Sequence, residues 1–252
     1  MADTERLRRI TEAVRDAGSI GVAELAGLTG ASEMTIRRDL DHLAAQGVLE
    51  RYRGGARTLL LRGEEPPFAV RVHEEAEAKR RIAAEAAALI ADGESVVLDS
   101  GTTCLEVARA LEPRRLTAMP LSLHAINALA GAPRLTLLVP GGRPRPGELA
   151  LTGPLAEASL AALRFDTAII GCCGLTAADG LTAHDLEDAA VKRAAIASAR
   201  RVIAVTEAAK LSRTALAFVG PASDLDAVVT DVSAPGDRVA ELAAAGVTVR
   251  TV

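Results

Sequence analysis

Two hydrophobic patterns divide the chain. In the first 46 residues apolar side chains recur at helical spacing, as in the series Leu7, Ile10 and Val14 before Gly18. From Glu74 onward, helical segments alternate with short runs of apolar residues. The first pattern is typical of helices that bury one face, and the second of buried strands separated by helices. The sequence therefore predicts a small helical N-terminal region and a larger α/β region.

The N-terminal region is predicted to contain two more helices after the first. Residues 22–28 form a short helix that Thr29 and Gly30 end, and Ser32 is placed to cap a third helix through about Gln46. The third helix presents polar and basic side chains, including Thr35, opposite its apolar stripe. That stripe consists of Ile36, Leu40 and Leu43.

A β-hairpin is predicted directly after the third helix, with strands over Val48–Arg51 and Ala56–Leu61 around a turn at residues 53–55. A polar helix that follows a tight turn can enter the major groove, and arginines on a hairpin can reach phosphates. Residues 1–57 hold nine Arg and nine acidic residues, but residues 51–62 hold four Arg and no acid. An ordinary amphipathic helix and a solvated hairpin would each explain one feature, whereas the combination favours DNA binding.

The segment GVAELAGLTGASEMTIRRDLDHLAAQGVLERYRGGA resembles the DNA-binding module of the DeoR family of repressors. Its most specific part is TIRRDL followed by the wing sequence GGA. The resemblance implies a winged helix-turn-helix that contacts DNA through the third helix and the wing. Family members often carry His before the two glycines, where this chain has Arg. The implied DNA-binding residues are Ser32, Thr35, Arg37, Arg38, Arg51 and Arg53.

Residues 62–67 carry charges and a Pro-Pro pair, which disfavours helix and favours an extended linker. We therefore expect three parts: a DNA-binding domain over residues 1–61, a linker over 62–73, and an effector-sensing α/β domain over 74–252.

Seven apolar runs are predicted to be strands of one parallel sheet with helices on both faces, because each is separated from the next by a helical segment. Ligands of such sheets bind beyond the carboxyl ends of the strands. The predicted strands are Val96–Leu98, Leu116–Met119, Leu135–Val139, Thr167–Ile170, Val202–Val205, Ala227–Thr230 and Val247–Val252.

The first strand end carries a candidate anion site. Asp99, Gly101, Thr102 and Thr103 stand in the sequence LDSGTT, which leads directly into a helix. The backbone N–H groups and positive dipole end of such a helix can hold a phosphate, and threonine hydroxyls add donors. Alternatively Thr103 and Glu106 form a capping box. Asp99 can accept hydrogen bonds from sugar hydroxyls or orient the turn.

Lysine is rare in this chain: of 29 basic residues only Lys79, Lys192 and Lys210 are Lys. Lys192 follows an acidic run on a helix, and Lys210 follows a strand near the expected carboxyl edge. A compact ammonium there could hold a phosphate or hydroxyl oxygen. A surface salt bridge is the alternative for either residue.

The larger region resembles the DeoR-family effector domain through LDSGTTCLEVARAL, GGRPRPGELALTGPLAEASL, DTAIIGCCGLTAADGLT and EDAAVKRA. The resemblance implies a Rossmann-like fold similar to ribose-5-phosphate isomerase and a phosphorylated sugar or related effector. Where many members have Thr-Asn-Ser, this chain has Pro120-Leu121-Ser122, so an Asn amide is missing. The implied effector-binding residues are Asp99, Gly101, Thr102, Thr103, Gly141, Gly142, Gly171, Gly174, Asp185, Glu187, Lys192 and Lys210.

Two functional classes remain open for this region: a sensor without turnover, or a sugar-phosphate isomerase fused to a DNA-binding domain. In the isomerase, Asp185 or Glu187 would be the base. We expect the sensor, with no catalytic residues, no metal and no cofactor, and with the cysteines as small buried residues. The start MADTERLRRI lacks the apolar core of a signal peptide, so we expect a cytoplasmic protein without membrane contact. Paired operator half-sites predict a homodimer or homotetramer.

Overall fold

The computed structural model describes residues 2–45, 47–58, 66 and 68–252. It separates into two compact units, Met1–Glu74 and Glu75–Val252.

The N-terminal unit has the predicted helices and hairpin. A short additional strand, β1, pairs antiparallel with the returning strand of the hairpin, so the sheet order is β1-β3-β2. Three residues are too few to show an alternating pattern, and β1 was therefore not predicted. Gln46 and residues 59–61, which the predicted helix and strand include, lie outside the described residues. The elements are α1 (Ala2–Ala17), β1 (Ser19–Gly21), α2 (Val22–Thr29), α3 (Glu33–Ala45), β2 (Leu49–Tyr52), β3 (Gly55–Thr58) and α4 (Phe68–Arg71).

The predicted apolar stripe of α3 forms the centre of this unit's core. Ile36 and Leu40 are fully buried, and they pack with Ile10 of α1 and Leu25 of α2. Burial of each such side chain contributes about 1.5–3 kcal/mol. Because the core is on this side of α3, the opposite side of the helix remains available to a partner.

Of residues 62–67, which were predicted to be extended, only Pro66 lies among the described residues, and the helical turn α4 follows at Phe68–Arg71. Phe68 is buried, and Val70 packs against the core of the N-terminal unit. The Arg71 Nε donates a hydrogen bond of 2.7 Å to the Pro66 carbonyl oxygen. The proline pair thus precedes a turn whose apolar residues have a core to pack against.

Ser32 caps α3 as predicted: its Oγ accepts from the Thr35 backbone N at 3.2 Å. We expect Ser32→Ala to lower the stability of the N-terminal unit by about 1 kcal/mol, because one backbone donor loses its partner. Calorimetric unfolding of the full chain measures this. Ser32→Thr keeps the acceptor and is the control; equal loss in both variants would contradict the capping role.

The C-terminal unit is built on a seven-stranded parallel sheet of order β15-β14-β12-β9-β4-β5-β6. All seven predicted strands are present. Their bounds are β4 (Ser95–Leu98), β5 (Thr117–Pro120), β6 (Thr136–Leu137), β9 (Phe165–Gly171), β12 (Ala199–Val205), β14 (Ala227–Thr230) and β15 (Thr248–Thr251).

Helices cover both faces of this sheet, because alternate residues of each central strand enter two separate cores. In β4, Val97 belongs to one core, and Val96 and Leu98 belong to the other. The helices α8, α9 and α10 supply the first core, and α5, α6 and α7 supply the second. The helices are α5 (Ala76–Ala88), α6 (Thr102–Leu111), α7 (Leu123–Leu129), α8 (Pro154–Ala161), α9 (Leu186–Ala197) and α10 (Gly236–Ala244).

Two antiparallel additions were not predicted. A hairpin pairs Arg143 with Thr152, and Ser122 forms a β-bridge with Ala150 of the same segment. A three-stranded sheet of order β10-β11-β13 continues the chain beyond β9. Both place additional chain beside the carboxyl edge of the parallel sheet, where β4, β9 and β12 end. Their strands are β7 (Arg143–Pro144), β8 (Leu151–Thr152), β10 (Gly174–Thr176), β11 (Gly180–Ala183) and β13 (Ala217–Gly220).

Candidate functional site

The exposed side of α3 carries the predicted helix residues. The Ser32 Oγ lies 3.0 Å from the Thr35 Oγ1, so these hydroxyls are partly used within the helix cap. Arg37 donates to the Glu33 carboxylate at 2.7 Å. Arg38 is exposed, and no group in the described part of the chain accepts a hydrogen bond from its guanidinium. Arg38 can therefore bind a DNA phosphate or a nucleobase without breaking an existing ion pair, whereas Arg37 would have to leave Glu33.

The two predicted wing arginines differ in the same way. Arg51 forms an ion pair with Asp41 and donates to the Arg37 carbonyl oxygen at 3.1 Å, so it braces the wing against α3. Arg53 is exposed at the tip, next to Gly54 with φ +100°, and has no acceptor among the described residues. Within the wing, Arg53 is thus the arginine available to a phosphate.

In the C-terminal unit, the turn after β4 begins α6 earlier than the sequence predicted. Gly101 has φ +102° and is the N-cap, and it provides no side-chain cap. Thr103 is the second helical residue, so the predicted capping box with Glu106 is wrong. Its hydroxyl instead lies 3.4 Å from the Glu207 Oε1. Because glycine tolerates positive φ, the chain turns into the helix at Gly101 and Thr102 becomes its first residue.

Asp99 lies at the centre of a buried cluster under this turn. Its Oδ1 accepts from the Ser100 N at 2.7 Å and its Oδ2 from the Gly171 N at 2.9 Å. Lys192 pairs with Asp99 and lies 3.4 Å from the Asp188 Oδ2. Burial lowers the pKa of Lys192, but the carboxylates of Asp188 and Asp99 outweigh burial and raise this pKa well above its ordinary value. Asp99 thus orients the turn and holds Lys192 charged; its contact with a sugar hydroxyl stays a prediction.

A second charged cluster joins three elements beside the first. The Glu207 Oε1 lies 3.2 Å from the Lys79 Nζ, and its Oε2 lies 3.5 Å from the Lys210 Nζ. Lys210 also donates to the Cys172 carbonyl oxygen at 3.1 Å. Burial raises the pKa of Glu207, but the two ammonium groups outweigh burial and lower this pKa below its ordinary value. Two ammonium groups therefore share the Glu207 carboxylate.

An open cleft of about 370 Å³ lies between the β7–β8 hairpin and the start of α9, and Gly142 is part of its lining. Glu187 accepts from Arg143 at 2.9 Å and from the Thr152 hydroxyl at 3.0 Å. Asp185 caps α9 by accepting from the Asp188 backbone N at 2.8 Å. The predicted residues Asp185 and Glu187 are therefore both engaged in holding this end of the domain.

The remaining predicted glycines have packing roles in the structure. At Gly171 a Cβ would lie 3.2 Å from the Ser100 carbonyl oxygen, so a side chain would push against the turn that holds Asp99. Gly174 packs directly on the backbone of Arg213. Gly141 donates its N–H to the Ser159 hydroxyl at 3.1 Å.

Comparison with known proteins gives two family matches that together span both units. A model described as DeoR-like helix-turn-helix domain matches residues 6–59, and one described as DeoR C terminal sensor domain matches residues 74–232. The chain belongs to the DeoR family. It is a DNA-binding transcriptional regulator, and this membership favours the regulator over the isomerase fused to a DNA-binding domain.

Similar proteins within the family extend over almost the whole chain. The HTH-type transcriptional regulator GlpR of Haloferax volcanii is 33% identical over 253 residues, 99% of this chain and 98% of that protein. The glycerol-3-phosphate regulon repressor of Escherichia coli K12 is 32% identical over 236 residues, 93% of each chain. Among solved structures, ribose 5-phosphate isomerase A of Methanocaldococcus jannaschii is 16% identical with a TM-score of 0.41, covering 54% of this chain and 55% of that one. This last likeness is too distant to carry a functional argument.

Three charged residues of the DeoR sensor domain were not predicted as site residues: the buried Lys79 and Asp188, and the partly buried Glu207. Two signals for them exist in the sequence. Asp188 stands four residues before Lys192, which is the spacing of ion pairs on one helix face. Lys79 is one of the three lysines of the chain, and all three lie at the carboxyl edge.

The prediction of small buried cysteines holds for Cys104 and Cys172 and is wrong for Cys173, which is partly exposed. Burial raises the pKa of the Cys104 and Cys172 thiols, so both stay protonated at neutral pH. The part of the chain that the structure describes holds no group of three or more His, Cys, Asp or Glu suited to a metal ion. No helix among the described residues combines the length and apolar character that a bilayer crossing requires.

Proposed function

We propose that this protein represses a carbohydrate operon by binding its operator, and that a phosphorylated sugar or related metabolite releases it. One observation carries the proposal: the chain combines an exposed basic helix and wing with a second unit whose three lysines, Lys79 and Lys192 buried and Lys210 partly buried, lie at the carboxyl edge of a parallel sheet. The E. coli repressor named above for the glycerol-3-phosphate regulon supports a phosphorylated ligand. The DNA-binding domain would occupy residues 1–61, followed by the linker to residue 73 and the sensor over 74–252.

The proposed ligand site combines two kinds of charge. The N-terminus of α6, with Thr102 and Thr103, and the ammonium group of Lys210 favour a phosphate group. The Asp99–Lys192–Asp188 cluster has an excess negative charge and suits the hydroxyl groups of a sugar. The ligand would lie across both clusters, with the cleft at Gly142 beside it.

We propose that the site binds without turnover. A general base must reach a carbon acid with a carboxylate that is free to accept the proton. Asp185 is used as a helix cap, and Glu187 is held by Arg143 and Thr152. The candidates for isomerase chemistry are therefore occupied by structural contacts.

The proposed partners follow from operator binding. Two copies would place two recognition helices on half-sites about 34 Å apart, which makes a homodimer the smallest competent form and a homotetramer a larger one. A protein that acts on operator DNA works in the cytoplasm with that DNA.

The proposal predicts selective DNA binding that one phosphorylated compound abolishes. The measurement is fluorescence anisotropy at stated salt with DNA from upstream of the protein's own gene cluster, titrated with a panel of sugar phosphates. We expect operator binding at least about a thousandfold tighter than binding to scrambled DNA. The dephosphorylated sugars are the matched controls and should have no effect. Absence of selective binding, or turnover of a sugar phosphate by the protein, would overturn the proposal.

A further inference from the structure

Lys79 differs from the other two lysines in the element that carries it. It lies in the first turn of α5 and is only 2% exposed, and its backbone N donates to the Glu75 carbonyl oxygen at 2.9 Å. Its ammonium reaches the carboxyl edge of the sheet and pairs with Glu207. A single side chain therefore connects the candidate ligand site to the first helix of the C-terminal unit.

The chain enters this helix through a strained residue. Glu75 has φ +48°, and only one other non-glycine residue in the described ranges, Leu149, has a positive φ. A side chain in this region costs free energy, so neighbouring contacts must hold it there. Glu75 is the first residue of the C-terminal unit, and the preceding residue ends the N-terminal unit. The strain thus lies at the covalent connection between the units, four residues before Lys79.

The partner of Lys79 is shared with groups proposed to bind the ligand. Glu207 contacts Lys79 and the Thr103 hydroxyl through Oε1, and Lys210 through Oε2. An anion that binds the Lys210 ammonium or the Thr103 hydroxyl removes that group from Glu207. Charged groups in a site of low dielectric interact strongly with their partners, so the loss of one partner changes the strength of the Lys79–Glu207 ion pair.

We propose that Lys79 is the positioning residue through which ligand occupancy reaches the chain segment that leads into the DNA-binding unit. The part of this inference that concerns the ligand rests on the proposed function. In the unliganded protein, the Lys79–Glu207 pair fixes the first turn of α5 and the strained entry at Glu75. A bound phosphate redistributes the partners of Glu207, and the first turn of α5 shifts with Lys79. The ligand then changes operator affinity because the two arrangements have different contacts.

Lys79→Met tests the positioning role of Lys79 separately from its role in compensating the charge of the Glu207 carboxylate. Methionine fills a similar volume without charge, and Glu207 keeps Lys210 as a partner, so the variant retains a compensated carboxylate. Arg80→Met changes the exposed neighbour on the same helix and is the matched control. Glu207→Gln removes the carboxylate charge and keeps an amide beside both lysines; it serves as the second variant.

The first test needs no ligand: amide hydrogen exchange across the full chain. We expect amides of residues 76–82 to exchange about tenfold faster in Lys79→Met and in Glu207→Gln, because the charged contact that holds this turn is lost. Exchange in β4 and β9, and everywhere in Arg80→Met, should match wild type. Unchanged exchange at residues 76–82, or an increase spread over the whole C-terminal unit, would overturn the inference.

The second test measures coupling with glycerol 3-phosphate, glucose 6-phosphate and fructose 1-phosphate. In Lys79→Met, the ratio of operator Kd with and without ligand, measured at a ligand concentration that saturates each protein by calorimetry, should fall at least about tenfold, and in Arg80→Met it should match wild type. Wild-type coupling in the variant would overturn the inference. Failure of all three compounds to bind or release wild type counts against the proposed function; the exchange experiment then decides the role of Lys79.

Discussion

Arg38→Ala is expected to weaken operator binding about 10- to 100-fold per protomer while leaving ligand affinity unchanged. Arg38 is exposed on α3, opposite the buried stripe of Ile36 and Leu40, and its guanidinium has no acceptor in the described part of the chain. Binding DNA therefore breaks no existing ion pair of this side chain. Fluorescence anisotropy on operator and scrambled DNA, repeated over a range of salt, measures both affinity and specificity.

Arg37→Ala is the matched control on the same helix. Arg37 is already paired with Glu33, so its transfer to DNA costs that contact and its removal should have a smaller effect. If Arg38 contacts bases, its loss lowers operator affinity more than affinity for scrambled DNA; if it contacts phosphate, both fall and the salt slope decreases by about 1. Equal effects of the two substitutions, or no effect of Arg38→Ala, would contradict the assigned recognition surface.

The parallel sheet could be predicted from the sequence because its signal is local. Each run such as Val202–Val205 is apolar on both faces, is bounded by helical segments, and is long enough to be recognised. The strand β10 has three residues, and the β7–β8 hairpin has two residues on each side. Short elements of this kind carry no periodicity that a sequence pattern could detect.

Turn geometry explains the error at Thr103. The spacing of Thr103 and Glu106 satisfies the capping box, but this spacing gives no information on the dihedral angles of Gly101. Gly101 adopts φ +102° and becomes the N-cap, which moves both residues into the helix. Their side chains then find other partners, with Glu106 pairing with Arg109. Gly101, two residues before the predicted cap Thr103, is the signal that could have raised this alternative.

The charged site was only half predictable for a different reason. Lys192 and Lys210 stand out because lysine is rare, and Asp99 stands out at a strand end. Their partners were not identified because the two residues of an ion pair can be far apart in sequence. Glu207 lies 128 positions after Lys79 and contacts it directly. Charged residue types can be read from the sequence, whereas the ion-pair partners that set their charge state can be identified only from the folded structure.

Lys192→Met is expected to destabilise the C-terminal unit by about 3–5 kcal/mol at neutral pH, because it leaves the buried carboxylates of Asp99 and Asp188 without their shared cation. Calorimetric or urea unfolding of the full chain measures the loss. Arg250→Met is the control: it breaks an exposed ion pair with Glu85 and should cost at most about 1 kcal/mol. A loss as small as that of the control would show that the buried pair contributes little.

The pH dependence of the same variant gives an independent test of its cause. In wild type, Lys192 opposes the rise that burial and Asp188 produce in the pKa of Asp99. Without Lys192 the pKa of Asp99 rises further, although the Ser100 backbone N–H still lowers it. Between the unfolded pKa of about 3.9 and the raised folded pKa, the folded state therefore binds more protons than the unfolded state. The stability of Lys192→Met relative to wild type should therefore recover as pH falls through this window.

Adding Asp188→Asn should recover part of the loss at neutral pH, because one of the two uncompensated charges is removed. A deficit that neither acid nor Asp188→Asn reduces would mean that lost packing, and not stranded charge, destabilises the variant.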